Sequence, residues 1–196
     1  MRIVLATKNP GKALEFNALL QGSDITIIPQ SEFDIQEIPE NGLTYVENAI
    51  AKARHVANIS KLPVIADDSG LEVAALNNAP GIYSARFAGS NATAAQRIDK
   101  LLHELKAVPD EKRNARFQCV MVYMKNANDA TPIICQGTWH GKILQAPEGT
   151  NGFGYDPIFF VPTHNCSAAN LPLAVKNKIS HRGQALLKML AELTNL

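Results

Sequence analysis

The sequence predicts an α/β fold built on a mixed β-sheet, and three observations predict it. Short apolar, β-rich runs alternate with segments of helical period. Two of those segments open on capping boxes. Two long β-rich runs flank a short polar stretch, the mark of an antiparallel hairpin.

Taken in order, Ile3 to Ala6 reads as a short buried strand and Thr7 to Gly11 as a polar Pro/Gly loop. A helix follows from near Lys12, with Leu14, Leu19 and Leu20 as its apolar contacts, and Ile25 to Ile28 is a second strand. Thr44 and Glu47 form a capping-box pattern, after which Val46, Ile50, Ala53 and Ala57 recur at helical spacing. Pro63 to Ala66 is a strand that ends abruptly in Asp67-Asp68-Ser69-Gly70, and Leu71 to Ala75 continues the sheet after a sharp turn. Thr93 and Gln96 open another capped helix, with Ile98, Leu101, Leu102 and Leu105 on one face. Phe117 to Met124 and Pro132 to Trp139 form the hairpin about Asn126-Ala127-Asn128-Asp129. Ile158 to Val161 is a short strand. A last helix follows Ser180-His181-Arg182-Gly183, with Leu186, Leu187, Leu190 and Leu193 facing inward.

The bulk properties narrow the function. A chain of 196 residues with 46% hydrophobic and 19% charged residues supports one soluble globular domain over residues 1–196. Lys and Arg number 19 against 18 Asp and Glu, so the chain lacks the basic footprint of a protein that grips nucleic acid polymers. A free nucleotide fits better. Cys119, Cys135 and Cys166 are scattered and form no Cys-x-x-Cys pair, which argues against structural zinc and for a reducing, cytoplasmic setting. The opening apolar run is too short for a signal peptide, and no run approaches the ~20 apolar residues of a membrane span.

Five segments carry candidate chemistry. Thr7-Lys8-Asn9-Pro10-Gly11-Lys12 joins a strand to a helix. Backbone N–H groups at a helix start attract anions, Gly11 allows close approach and Lys12 adds a charge; Asn, Pro and Gly also serve there merely as turn formers. Asp67 and Asp68 at a strand end repel each other unless a cation intervenes. One of them could bind Mg²⁺ and act as general base, or both could sit in a solvated turn. Glu40 lies in a polar loop, and Lys52 is one helical turn from Asn48; each also reads as an ordinary solvated charge. Gly149-Thr150-Asn151-Gly152-Phe153-Gly154-Tyr155-Asp156-Pro157 sets an aromatic among glycines, suited to stacking a flat base or to a surface turn with Phe153 folded inward. Lys176, His181 and Arg182 stand near the start of the last helix, where the dipole favours acids. They could donate hydrogen bonds to a purine carbonyl or a phosphate, or be surface charges.

No single segment decides, but their order does. The Thr7–Lys12 loop, Glu40 with Gly42-Leu43-Thr44-Tyr45-Val46-Glu47-Asn48-Ala49, Asp67-Asp68-Ser69-Gly70-Leu71, Pro80-Gly81-Ile82-Tyr83-Ser84-Ala85-Arg86, Gly152-Phe153-Gly154-Tyr155-Asp156-Pro157 and Ser180-His181-Arg182-Gly183 together resemble the inosine triphosphate pyrophosphatase family. This is the Ham1-like and RdgB-like group, and the bacterial form is the nearer likeness. The resemblance runs from about residue 3 to residue 190. It implies two α/β lobes about a long mixed sheet with the active site in the cleft between them, a homodimer, and a requirement for Mg²⁺, with Mn²⁺ as a substitute. The implied reaction cleaves ITP, dITP, XTP and dXTP to the monophosphate and pyrophosphate, clearing them from the nucleotide pool. Carried over by position, Thr7, Lys8, Asn9, Pro10, Gly11 and Lys12 hold the triphosphate. Glu40 and Asp68 bind the metal, and Asp68 also prepares the water. Ser69 touches substrate, and Asp67 and Lys52 support the phosphate and metal. Phe153, Gly154, Tyr155 and Asp156 frame the base, and Lys176, His181 and Arg182 complete its recognition.

The family carries one or two acidic residues just before the lysine matching Lys176, whereas this chain has Leu173-Ala174-Val175. The turn there is therefore expected to be set differently. Two rivals remain at this point. A Maf-like pyrophosphatase shares the amino-terminal loop character but not the Phe153 and His181 blocks. A non-catalytic nucleotide sensor does not need Glu40, Lys52, Asp67 and Asp68 intact.

Overall fold

The computed structural model describes residues 1–36 and 38–194. In chain order the strands and α-helices are β1 (Arg2–Leu5), α1 (Pro10–Leu20), β2 (Thr26–Pro29), α2 (Tyr45–Ser60), β3 (Val64–Val73), α3 (Ala94–Glu104), β4 (Asn114–Met124), β5 (Ile133–Ile143), β6 (Phe159–Val161), β7 (Cys166–Ser167), α4 (Leu173–Ile179) and α5 (His181–Leu193). The strands form one mixed sheet in the order β2-β1-β3-β4-β5-β6-β7. Both expected capping boxes form: Thr44 caps α2 with Glu47, and Thr93 caps α3 with Gln96. Each such cap is worth about 1 kcal/mol.

The chain divides into two compact units. The first comprises residues 1–68, 119–137 and the chain from His181 onward; the second comprises Ser69–Gln118 and Thr138–Ser180. In the first unit β1 pairs in parallel with β2 and β3, with Val4 opposite Ile28 and Val64. The two-residue period of the strands builds two apolar layers. Ile3, Leu5, Ile65, Cys119 and Met121 meet Phe16 and Leu20 of α1 and Ala185, Leu186 and Met189 of α5. Val4, Ala6, Val64, Ala66, Val122 and Met124 meet Ala49, Ala53, Val56 and Ala57 of α2.

The second unit packs Leu71, Val73, Phe117, Trp139, Ile158 and Phe159 against Ile98 and Leu101 of α3 and Leu105, which caps its end. Phe117, Trp139 and Phe159 form an aromatic triangle with centroids 4.6 to 6.2 Å apart. β6 runs antiparallel to both β5 and β7.

The structure corrects the sequence reading at several places. No turn interrupts residues 67–70: β3 is one strand of 10 residues, and Asp67, Asp68 and Gly70 are buried within it. The partners that make this possible come from distant elements, as described below. α1 starts at Pro10 rather than near Lys12, because Asn9 caps it. Leu14 is 59% exposed and Leu187 is 50% exposed. Each lies about 200° around its helix from a core-facing neighbour two positions away, Phe16 for Leu14 and Ala185 for Leu187. β7 and α4 are elements that the sequence reading lacked. Among the described residues no helix is long and apolar enough to cross a membrane.

One buried cation of the second unit is held chiefly by backbone carbonyls. Arg113, between α3 and β4, donates from Nε to Ile143 O at 2.9 Å, from Nη1 to Leu105 O at 2.9 Å and from Nη2 to Leu144 O at 2.8 Å. Arg113→Met should take one buried donor from each of these carbonyls and lower stability by about 3 kcal/mol or more. Equilibrium denaturation in urea measures this, as a lower midpoint with an unchanged slope.

Candidate active site

The first unit draws six of the predicted residues, Lys12, Glu40, Lys52, Asp67, Asp68 and Arg182, into two adjoining charge clusters. Successive strand residues point to opposite faces, so Asp67 and Asp68 do not face each other. Asp67 lies on the α1 and α5 side. Its Oδ2 is 2.9 Å from Lys12 Nζ and 3.3 Å from both Nε and Nη2 of Arg182. Arg182 Nη1 also pairs with Glu15. Cys119 donates its thiol to Asp67 Oδ2 at 3.9 Å. Asp67, Glu15 and Arg182 are all buried. Burial alone pushes the Asp67 carboxyl pKa up, but Lys12, Arg182 and Lys52 outweigh it and hold the group well below the usual carboxylate range. Burial beside that carboxylate pushes the Cys119 thiol up to about 12, so it is an inert donor rather than a nucleophile.

Asp68 faces α2, where two residues one helical turn apart take its two oxygens. Asn48 Nδ2 donates to Oδ2 at 3.0 Å, and Lys52 Nζ lies 3.4 Å from Oδ1. The same ammonium is 2.9 Å from Glu40 Oε1. Burial, aided by Glu40, pushes the Asp68 carboxyl up despite Lys52. Burial would lower the Lys52 pKa, but Asp68, Asp67 and Glu40 together raise it. Glu40 and Asp68 thus converge on one cation-holding point. Two hard carboxylate oxygens there, one burdened by burial, fit Mg²⁺, which takes one or two carboxylates and fills its shell with water.

The Thr7–Lys12 loop is capped by its own side chains. Asn9 Oδ1 accepts from Gly11 N at 2.9 Å and from Lys12 N at 3.3 Å, and Thr7 Oγ1 accepts from Asn9 N at 3.1 Å. Pro10 is the first residue of α1, and Lys8 is exposed. Of this loop, only Lys12 is drawn into the acidic clusters.

The remaining predicted residues belong to the second unit, apart from His181. Ser69 is half-buried on β3. Phe153 N donates to Asp156 Oδ2 at 2.8 Å, and Lys176 Nζ reaches the same oxygen at 2.6 Å. Lys176 Nζ also lies 4.9 Å from the centre of the Phe153 ring. Gly152 and Gly154 flank Phe153 with φ of 75° and 64°, which only glycine adopts freely. Tyr155 turns inward and is buried. Without acidic residues before it, α4 still delivers Lys176 to Asp156; Val175 packs on the core and Ala174 is exposed.

His181 is buried at the start of α5. Arg182 is committed to two carboxylates of its own chain, so reading a base would require it to exchange one of them. Sequence reasoning missed Glu15 and the thiol of Cys119. Glu15 had a signal: it follows Lys12 by three positions and adjoins Phe16, on the buried stripe of α1.

An α/β sheet whose strand carries two buried carboxylates, each clamped by lysine beside a capped strand-to-helix loop, is the frame of a phosphate-processing hydrolase. The Ham1 family profile matches residues 3–192. The dITP/XTP pyrophosphatase of Vibrio cholerae is 56% identical over 188 residues, covering 96% of this chain and 94% of the relative. That of Coxiella burnetii is 54% identical over 194 residues, covering 99% and 97%. Among solved structures, a HAM1 protein from Coxiella burnetii aligns with a TM-score of 0.92 at 53% identity, covering 100% of both chains. The Staphylococcus aureus Ham1 protein aligns with a TM-score of 0.87 at 41% identity, covering 100% of this chain and 99% of that one. The chain belongs to the Ham1 family.

Gly137 of β5 fixes where α5 begins. A Cβ at Gly137 would overlap His181 O and lie 2.9 Å from Ala185 N. Gly137→Ala should therefore push the helix start away and draw Arg182 off Asp67. The expected result is a fall in kcat/KM of about tenfold or more, with helix content retained by circular dichroism. Unchanged kinetics would mean that the helix start tolerates the displacement.

Proposed function

We propose that this chain hydrolyses non-standard purine nucleoside triphosphates (ITP, dITP, XTP and dXTP) to the monophosphate and pyrophosphate, removing them from the nucleotide pool. The observation that carries this reading is the full-length likeness to dITP/XTP pyrophosphatases in a chain that keeps the Glu40–Lys52–Asp68 cluster intact. A non-catalytic sensor has no need of a buried carboxylate with a raised pKa held by two partners.

In the proposed mechanism Asp68 is the general base. Asn48 and Lys52 fix the direction of its oxygens, and burial raises its proton affinity toward that needed to take a proton from water. Glu40 and Asp68 would hold Mg²⁺, which when bound supplies positive charge to the triphosphate oxygens. Mn²⁺ should substitute. Lys52 keeps the two carboxylates together and adds a fixed charge. Lys12 leads the phosphate-binding loop, and Asp67 holds its ammonium in place. Thr7, Lys8, Asn9 and Gly11 offer backbone and side-chain donors to the phosphates, Pro10 sets the turn of the loop into α1, and Ser69 adds a hydroxyl. In the second unit Phe153 offers a face for stacking, set by Gly154, Asp156 and Lys176. The family likeness adds His181 as a donor for a carbonyl at purine position 6. Adenine presents an amine there, which leaves donor facing donor. A homodimer is part of the same reading, and sedimentation velocity tests it.

Purified protein with Mg²⁺ and a nucleotide panel, assayed for pyrophosphate, tests the whole. ITP, dITP and XTP should exceed ATP and GTP in kcat/KM by about a hundredfold or more. Chelation should abolish turnover, and added Mg²⁺ should restore it. Asp68→Asn keeps the shape but removes the base and a metal ligand. It should cost about two orders of magnitude or more in kcat with folding preserved. A variant that keeps more than a tenth of the activity would remove Asp68 from this role.

A further inference from the structure

The block Pro80 to Arg86 has no part in the mechanism above, yet its fold is tied to the base-binding loop. Residues Gly81–Arg86 form a 3₁₀ helix within the second unit. Ser84, buried at its centre, uses its hydroxyl twice. Oγ accepts from Leu71 N at 2.9 Å and donates to Gly81 O at 2.6 Å. This fastens the 3₁₀ helix to β3. The carbonyl of the same residue accepts from the hydroxyl of Tyr155 at 2.9 Å. Tyr155 is 4% exposed and packs in the cluster that holds Ile158 and Leu171.

Tyr155 stands two residues after Phe153, in a loop whose glycines permit its shape but cannot enforce it. Asp156 holds the Phe153 backbone and Lys176 lies against the Phe153 ring. Asp156 in turn follows Tyr155 directly, so the Tyr155 hydroxyl fixes the residue from which Asp156 reaches back. Burial raises the phenol pKa, so the hydroxyl stays protonated and acts as a donor.

We propose that Tyr155 and Ser84 are positioning residues: through the strut Leu71–Ser84–Tyr155 they set how Phe153 is presented, and so govern the affinity for the purine base rather than the hydrolytic step. Tyr155, whose side chain is buried in the core cluster, acts through its neighbours Asp156 and Phe153. The proposal rests on the reading of Phe153 as the base-stacking residue.

The test uses the full chain with Mg²⁺ and compares Tyr155→Phe, Ser84→Ala and the double variant. Tyr155→Phe keeps the ring, and with it the core packing, and removes only the hydroxyl. Each single variant should raise KM for ITP about fivefold, the loss expected for one buried hydrogen bond, with kcat within about twofold. KM for ATP should rise by a similar factor, because both purines present a face to stack. Binding of inosine monophosphate, measured by calorimetry, should weaken by the same factor, which a role in stability alone would not produce. Because both residues act along one strut, the double variant should be no worse than the weaker single one. Lower melting temperatures with unchanged KM and unchanged monophosphate binding would overturn the proposal, as would losses that multiply in the double variant. If Ser84→Ala does not fold, Tyr155→Phe alone decides through its KM, its kcat and the calorimetry. If the wild type itself does not prefer ITP to ATP, the function proposed above fails. If it does and Tyr155→Phe leaves KM and monophosphate binding unchanged, the strut alone fails.

Discussion

Two consecutive buried aspartates on a strand are the constraint on which the first unit depends. An isolated carboxylate removed from water is too costly to remain ionised, so each must bring its own positive partner. Because the strand alternates, the partners cannot be shared across one face. Asp67 draws Lys12 from α1 and Arg182 from α5, whereas Asp68 draws Lys52 and Asn48 from α2. Three helices are thereby held to β3 by charge as well as by apolar packing. Glu15 follows from the same requirement, since it balances the side of Arg182 that Asp67 leaves over.

The two carboxylates diverge chemically for the same reason. Asp67 is surrounded by cations and stays ionised far into acid, which makes it a fixed anchor for Lys12. Asp68 has one ammonium that it shares with Glu40, and burial dominates its titration. One residue type in two settings yields a fixed anion and a carboxyl of raised proton affinity, a separation produced by environment alone. A dication held by Glu40 and Asp68 would add positive charge on that side and would leave the Asp67 side, which Lys12 and Arg182 already hold, undisturbed.

Local signals in the sequence accounted for much of this frame. The capping boxes at Thr44 and Thr93, the apolar stripe of α3 and the hairpin runs were legible because each depends on residues within about one helical turn or one strand. The path of β3 was not. Asp-Asp-Ser-Gly has the composition of a turn, and distant partners, among them Arg182, 115 residues away, and Lys52, 16 residues away, convert it into buried strand. Leu14 and Leu187 failed differently, since a leucine beside a core-facing helix position need not share its face. At the site, the family likeness supplied the residues but not their partners. Arg182 could be placed in the site from the likeness, but its pairing with Glu15 could not.

The second unit solves a related problem with backbone as well as charge. A single oxygen, Asp156 Oδ2, receives both the Phe153 amide and the Lys176 ammonium. A side chain at Gly152 would collide with that oxygen, so the glycine gives the carboxylate room as well as giving the chain its positive φ. The loop also closes on itself, since Asp156 N donates to Phe153 O at 3.2 Å. Asp156 is held from both ends, by Lys176 of α4 on its carboxylate and by Tyr155, which precedes it and is anchored in the apolar cluster. Glycines that widen the conformational choice of the loop are thus offset by contacts that narrow it, and the entropy of ordering the loop is met in folding.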